Sequence, residues 1–162
     1  MKSSEISLSS IELTALLEAA LSKNASLRFQ VKGFSMSPFI KNKDIVTISP
    51  ILNSVIGFGK IAAFRHPVNK RLVIHRIISS NGRHYLIKGD RIFSSDGFIP
   101  KENILGCVSR IERNNKRIYF GLGPERIIIA FLSRIRVLSL IFWVWRLMPV
   151  YARNSIKGVL GY

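Results

Sequence analysis

Seven short segments between residues 27 and 122 are rich in β-branched or aromatic residues, and turn-forming residues separate each segment from the next. Such segments are typical of strands, because branched and aromatic side chains pack well on a pleated surface. We therefore expect an all-β domain over residues 27–123, in which the loops at strand ends carry any chemistry. The predicted strands cover residues 27–31, 45–48, 60–65, 72–78, 84–87, 104–111 and 117–120.

One helix is predicted in the N-terminal segment, residues 1–26. Ser9 or Ser10 supplies the N-cap, Glu12 lies in the first turn, and apolar residues then recur at helical spacing. Met1 and Lys2 are followed by polar residues and not by the apolar run of a signal peptide. We therefore expect neither a signal peptide nor an N-terminal transmembrane anchor.

The C-terminal segment, residues 124–162, is predicted to form a hydrophobic and basic helix. Its apolar stretch over residues 127–145 has 19 residues, which is about the length of a membrane span. The aliphatic and Phe residues contribute roughly −4 to −7 kcal/mol to the free energy of inserting this stretch into a bilayer. Arg134 and Arg136 offset this with about +5 to +7 kcal/mol. We therefore expect a helix lying in the membrane plane, with a helix packed on the β domain as the alternative.

The charge of the chain limits its partners. Lys and Arg number 25 against 9 Asp and Glu, a net charge of +16 that points to a polyanion or an anionic membrane. From Arg126 onward there are six basic residues and no acid, interleaved with the most apolar stretch. This favours an anionic lipid surface over nucleic acid, which we do not expect as a partner.

A content of 48% hydrophobic residues excludes disorder, and the single Cys107 excludes a disulfide scaffold.

The first candidate catalytic segment is a tight turn around Ser35. Gly33 precedes this serine and Pro38 follows it, a pattern that indicates a sharp turn between two strands. Such a turn presents a hydroxyl and leaves backbone N–H groups available to a developing oxyanion. A serine between Gly and Pro is also an ordinary turn residue, so this segment alone does not decide its role.

A histidine and two aspartates supply the other groups that acyl transfer requires. His75 lies among apolar neighbours on a predicted strand, where partial desolvation favours the neutral imidazole that a base needs. Asp90 and Asp96 lie six residues apart in one turn-rich loop, and either carboxylate could orient that histidine. A core histidine and two turn aspartates would give the same pattern. The occurrence of all three segments in one small domain favours the catalytic interpretation.

The serine and histidine segments resemble boxes of the signal peptidase I family, in its Ser-His form found in archaea and the endoplasmic reticulum. Residues 33–38, Gly-Phe-Ser-Met-Ser-Pro, are similar to the family's G-x-S-M-x-P nucleophile box. Residues 43–46 resemble the G-D-x-V strand that follows it, with Lys43 where Gly is usual. Residues 59–65 resemble the strand before the base, and residues 75–78 resemble the H-R-V-I box that carries it.

The resemblance continues through the loop with the two aspartates. Residues 88–96 are similar to the family's K-G-D-x-x-x-x-x-D box, and residues 102–106 resemble its closing E-N-I-x-G strand. The boxes occur in the family's order over about residues 29–111. The sequence departs from the family in lacking the N-terminal anchor, in carrying its hydrophobic helix at the C-terminus, and in having Arg91 and Ile92 in place of the usual asparagines.

The resemblance implies a signal-peptidase-like all-β fold and a serine endopeptidase that cleaves a peptide or protein substrate. It implies Ser35 as the nucleophile and His75 as the general base. Asp96 is favoured as the residue that orients His75, with Asp90 as a supporting or alternative carboxylate. Oxyanion and substrate binding are assigned to the residues around the nucleophile, where the aromatic and the Met are expected to pack the turn and the substrate-binding wall: Gly33, Phe34, Met36 and Ser37.

Two alternative functions, a repressor-type autopeptidase and a nucleic-acid-binding domain, would require other sequence features. A repressor-type autopeptidase would need an N-terminal helix-turn-helix and a lysine in place of His75, and a basic β domain binding nucleic acid would need clustered stacking aromatics. We expect no cofactor, and no Cys/His spacing indicates a metal site. We expect the protein at a membrane, with the catalytic domain on the cytoplasmic side unless the C-terminal helix dictates otherwise.

Overall fold

The computed structural model describes residues 9–51 and 56–147. Among these residues, a first helix precedes the strands and two helices follow them. The elements in chain order are α1 (Ser10–Ser22), β1 (Leu27–Gln30), β2 (Ile45–Ser49), β3 (Ile61–Arg65), β4 (Leu72–Ser80), β5 (His84–Lys88), β6 (Gly97–Pro100), a 3₁₀ turn (Lys101–Asn103), β7 (Ile104–Arg113), β8 (Lys116–Ile118), α2 (Arg126–Arg134) and α3 (Val137–Leu147).

The strands form one antiparallel sheet, so the predicted mainly-β class is confirmed. Its order is β1-β2-β7-β3-β4-β5-β6, and β8 pairs with β7. The long strand β7 crosses the middle and pairs with β2, β3 and β8, which joins the beginning of the domain to its end. Two apolar clusters form the core, one around Val46 and Ile111 and the other around Phe64 and Ile87.

All seven predicted strands are present, with ends that differ by at most two residues. The structure adds β6, which lies outside the predicted strands and has Gly97 and Pro100 at its ends; it pairs with β5 at one end of the strand order. Its end position explains why a proline is tolerated there. Between β7 and β8, Asn114 and Asn115 both have positive φ, which is the conformation a two-residue hairpin turn requires.

Helix α1 begins as the sequence predicts. The Ser9 side chain accepts a hydrogen bond from the Glu12 N–H, and the Glu12 carboxylate accepts one from the Ser9 N–H, which completes a capping box. Leu17 on the inner side of the helix is fully buried in the core cluster around Val46. One helix therefore precedes the sheet over residues 9–26.

The predicted single helix over residues 127–145 is wrong, because the structure divides this stretch into α2 and α3. The break falls at Arg136, whose φ of 63° is outside the helical region. Helix α2 packs on β4, and its Ile129 and Ala130 are buried, so part of this segment adopts the alternative of a helix on the β domain. No helix among residues 9–51 and 56–147 combines the length and the apolar content that crossing a bilayer would take.

Candidate active site

Ser35 lies in the irregular turn between β1 and β2. Gly33 has a φ of 117°, a conformation that a side chain would strain, and its N–H donates to Asn42 Oδ1 at 3.0 Å. The Ser37 N–H donates to the Phe34 carbonyl at 3.1 Å and closes the turn over the serine. Ser35 is half-buried, so its hydroxyl is held by a structured turn and remains within reach of solvent.

An arginine from β7 holds this turn from the other side. Arg113 forms an ion pair with Asp44, whose side chain is almost fully buried, at 2.8 Å. The same guanidinium donates to the carbonyl of Phe39 at 3.3 Å, inside the turn. Asp44 raises the pKa of Arg113 through this hydrogen bond, so the guanidinium stays charged. The turn that carries Ser35 is therefore attached to the central strand of the sheet.

Ser35, His75 and Asp96 form a continuous line of hydrogen bonds. His75 Nε2 lies 2.8 Å from Ser35 Oγ, and His75 Nδ1 lies 2.7 Å from Asp96 Oδ2. Because a carboxylate only accepts, Nδ1 carries the proton and Nε2 is free to accept from the serine hydroxyl. The three groups come from a turn, from β4 and from the residue before β6, and the imidazole is 7% exposed.

The other aspartate of the loop, Asp90, has a different partner. Asp90 and Arg76 are both fully buried and form a bidentate pair, with three N–O distances between 2.9 and 3.1 Å. Arg76 also donates to the carbonyls of Gly59 and Gly121. Burial raises the pKa of Asp90, against the lowering effect of Arg76. Asp90, which the sequence left as an alternative orienting carboxylate, hydrogen-bonds Arg76, and Asp96 hydrogen-bonds His75.

Gly89 allows the aspartate loop to approach the serine and the histidine. A Cβ at Gly89 would lie 2.8 Å from the Ser35 carbonyl oxygen and 3.0 Å from His75 Nε2, closer than real Cβ contacts. Two residues later the Arg91 N–H donates to the same Ser35 carbonyl at 2.9 Å. Gly89 is not among the predicted site residues, although its place between Lys88 and Asp90 in the K-G-D box is a signal that singles it out.

Lys88, the first residue of the K-G-D box, is a buried cation beside this loop, and its sequence context does not predict its burial. It is 2% exposed, and its Nζ donates to Ser139 Oγ at 2.9 Å, Ser133 Oγ at 3.3 Å and the Gly89 carbonyl at 3.2 Å. Burial lowers the pKa of Lys88, and the nearby Asp90 opposes this effect. The two C-terminal helices are thereby connected to the loop that touches Ser35.

The residues assigned to substrate and oxyanion binding separate into accessible and buried ones. Phe34 is 59% exposed and Gly33 is exposed, whereas Ser37 is half-buried. Met36 is buried in the core cluster around Val46, where its apolar side chain attaches the turn to the core. Of the two places expected for Met36, the structure therefore assigns it to packing and not to an accessible substrate-binding wall.

A cavity of about 300 Å³ lies away from these groups. Its lining includes Lys60, Cys107 and Arg126, and neither Ser35 nor His75 lines it. Burial raises the pKa of the Cys107 thiol, which leaves it protonated and unreactive. Among the described residues, the serine, the histidine and the aspartate are therefore the groups whose geometry fits nucleophilic catalysis.

Comparison with models of known protein families gives no match for this chain, and comparison with curated proteins finds no match either.

Proposed function

We propose that the protein is a serine endopeptidase with a signal-peptidase-like catalytic domain, in which Ser35 is the nucleophile. The observation that carries the proposal is the hydrogen-bonded line from Ser35 Oγ through the His75 imidazole to Asp96 Oδ2, at 2.8 and 2.7 Å. A core histidine that contacts a turn serine for structural reasons alone would not need a carboxylate at its other ring nitrogen. That carboxylate is what fixes the tautomer needed by a general base.

Acylation follows from this geometry. Ser35 Oγ attacks the carbonyl carbon of the scissile peptide bond while His75 Nε2 takes the hydroxyl proton. Asp96 stabilises the imidazolium that results, because its carboxylate already accepts from Nδ1. The imidazolium then gives the proton to the leaving amine, the C–N bond breaks, and an acyl-Ser35 ester remains. Water, deprotonated by His75, attacks this ester and regenerates the serine.

The developing oxyanion needs donors beside the nucleophile. Among the described residues the Ser35 N–H donates to no backbone carbonyl, so it is available for this purpose. The Ser35 carbonyl, in contrast, accepts from the Arg91 N–H, which fixes the orientation of the peptide unit that follows the serine. The donor proposed for the oxyanion is therefore the Ser35 N–H.

The substrate is proposed to be a polypeptide with an apolar side chain near the cleavage site. Phe34 precedes the nucleophile and Phe93 lies in the loop that leads to Asp96, and both rings are exposed. Exposed aromatic rings next to catalytic groups offer apolar contact to a bound chain. Gly33, which is exposed in the same turn, adds no side chain that would block an approaching peptide.

One departure from the family pattern has a local explanation that supports the proposal. Lys43 stands where the family usually has glycine, and its φ of 71° is the conformation that glycine adopts without strain. The backbone therefore has the geometry for which glycine is usually chosen, although a lysine occupies it. The antiparallel sheet with the serine turn between β1 and β2 and the histidine on β4 supports the same fold assignment.

The test is peptide cleavage by the full chain. The protein is incubated with a library of peptides, and new termini are identified by mass spectrometry for the wild type, Ser35→Ala and His75→Ala. We expect cleavage after specific residues by the wild type and a loss of at least about 10³-fold in both variants. His84→Ala removes an exposed histidine of β5 and serves as the matched control with activity near that of the wild type.

The far-ultraviolet circular dichroism and the melting temperature of each variant show whether the fold is retained. Cleavage at the wild-type rate by a folded Ser35→Ala variant would refute the proposal. Absence of any cleaved peptide, together with absence of cleavage of added unfolded proteins, would also count against an endopeptidase. A cut within the chain itself, seen in an intact-mass time course, would instead indicate an autopeptidase.

A further inference from the structure

The two C-terminal helices expose large apolar side chains and bury serines. The buried side of α2 carries Ile129, Ala130 and Ser133, and the buried side of α3 carries Ser139. Large apolar residues also lie on the solvent side of both helices. In a helix packed on a soluble domain, the apolar stripe faces the core and polar residues face water. Here apolar residues also cover the outward side, and two serines face inward.

The inward serines have a specific partner, which fixes the orientation of both helices. Ser133 and Ser139 both receive a hydrogen bond from the buried Lys88 ammonium group, and Ser139 Oγ also donates to the Ile92 carbonyl at 2.7 Å. These bonds attach both helices to the same loop. The opposite sides of α2 and α3 consequently both face away from the domain.

This outward side, termed the outer face, is apolar and basic. It consists of side chains that are 49–64% exposed: Ile128, Phe131, Ile135, Leu140, Ile141 and Val144. Arg134 and Arg136 are exposed at the junction of the two helices, and the chain has no acidic residue after Glu125. An apolar patch of this kind is unusual on a soluble monomer and marks an interaction surface.

We propose that the outer face docks on an anionic lipid bilayer, with both helices lying in the membrane plane. Within residues 126–147 the helices have 9 and 11 residues, lengths that suit burial of one side at headgroup depth. The arginines at the junction complement anionic headgroups, where each contributes about a fivefold gain in partitioning. The proposal does not depend on peptidase activity, since no group of the outer face is part of the candidate active site.

Tryptophan fluorescence tests the proposal directly, because both tryptophans of the chain, Trp143 and Trp145, belong to α3. The full-length Ser35→Ala variant is titrated with vesicles of phosphatidylcholine containing phosphatidylglycerol, and with phosphatidylcholine alone. We expect a blue shift of the emission with the anionic vesicles and a partition coefficient at least tenfold lower with the neutral ones. Lipids brominated near the headgroup should quench the emission more strongly than lipids brominated near the chain end.

The variant Phe131→Asp/Leu140→Asp places two charges on the outer face, and we expect its partition coefficient to fall more than tenfold. Val68→Asp places a charge on an 84% exposed apolar residue of the β3–β4 turn and should leave the partition coefficient unchanged. Circular dichroism of both variants shows whether the helices are retained.

Three results would overturn the proposal. The first is the absence of a shift with anionic vesicles. The second is a shift that the outer-face variant retains. The third is a shift that appears without vesicles as the protein concentration rises and is accompanied by dimerisation in light scattering, since this would show that the outer face binds a second copy of the chain. The peptidase proposal and the membrane-docking proposal can fail independently. Ser35→Ala should lose peptide cleavage and bind vesicles as the wild type does.

Discussion

His75 and its neighbour Arg76 point to opposite sides of β4, and each binds its own aspartate. The imidazole contacts Asp96 at 2.7 Å in a partly accessible site, whereas the guanidinium pairs with Asp90 in the fully buried interior. Two carboxylates of one short loop are thus placed in different environments. This separation leads to different expectations for the two aspartates.

Asp96→Asn is expected to impair the proposed catalysis with little effect on folding. An asparagine amide can donate to Nδ1, which favours the tautomer in which Nε2 carries the proton and cannot accept from Ser35. We expect kcat to fall about 10²–10⁴-fold and the free energy of unfolding to change by less than about 1 kcal/mol. Steady-state cleavage and urea unfolding of the same preparation measure both. A kcat within a factor of two of wild type would contradict the role given to Asp96.

Asp90→Asn is expected to destabilise the fold. The substitution leaves the Arg76 guanidinium buried without a counter-charge, and breaking such a pair costs about 3–5 kcal/mol. For a domain of this size the melting temperature should fall by roughly 6–20 °C. Thermal unfolding followed by circular dichroism gives the value. If Asp90→Asn melts no earlier than Asp96→Asn, the structural role of Asp90 is wrong.

Gly89→Ala tests how closely the loop approaches the site. The added Cβ would lie 2.8 Å from the Ser35 carbonyl oxygen, 2.9 Å from Ile92 Cγ1 and 3.0 Å from His75 Nε2. Because the closest of these atoms belongs to the backbone of the nucleophile, we expect the loop and the serine turn to move apart. A displacement of this size can lower a catalytic rate by about 10²-fold, whereas the associated overpacking costs about 1–3 kcal/mol. We therefore expect kcat to fall about 10²-fold in a variant that is still folded at 25 °C.

Gly82→Ala provides the comparison, since a Cβ there meets no atom within 4 Å and tests only the cost of a side chain at a positive φ. Its unfolding free energy should fall while its kcat stays near that of the wild type. Equal kcat values in the two alanine variants would mean that the approach of Gly89 to Ser35 has no catalytic consequence.

The strands were predictable because their signals are local. A run such as residues 72–78 is β-branched and lies between turn residues, so its conformation follows from its own side chains. The edge strand β6 has Gly and Pro at its ends, and only pairing with β5 makes it a strand. The division into α2 and α3 at Arg136 has no Gly or Pro that would predict it from sequence. Ser133 of α2 and Ser139 of α3 both contact Lys88, which lies far from them in the chain.

The site was predictable in its residue types and not in its pairing. Ser35, His75 and the loop with two aspartates could be selected from their sequence context. The family resemblance favours Asp96 as the residue that orients His75, whereas the residue pattern alone leaves Asp90 and Asp96 open, because both lie in the same loop and only the fold separates them. The burial of Lys88 was also invisible, since its serine partners lie 45 and 51 residues away in the chain.

Lys88→Met tests the buried ammonium group through the pH dependence of stability. Burial lowers the pKa of Lys88 in the folded state below its value of 10.5 in the unfolded chain. Between these two values the unfolded state binds more protons, so the lysine's contribution to the unfolding free energy increases as the pH rises. We expect the wild type to gain stability relative to Lys88→Met between pH 7 and pH 10.5.

Urea unfolding of both proteins at a series of pH values measures this difference. Lys116→Met, which removes an exposed lysine of β8, controls for the change in net charge. A difference between wild type and Lys88→Met that is constant with pH, or that moves in favour of the variant, would contradict a buried ammonium group at this position.

If His75 and Asp96 activate Ser35 as a nucleophile, a covalent serine probe should react at this residue. A fluorophosphonate transfers its phosphonyl group to an activated serine oxygen with loss of fluoride, and peptide mapping after intact-mass analysis locates the adduct. We expect one adduct, on Ser35, that is absent in Ser35→Ala, strongly reduced in His75→Ala and retained in His84→Ala. An adduct on another serine, or equal labelling of the wild type and folded Ser35→Ala, would contradict this expectation.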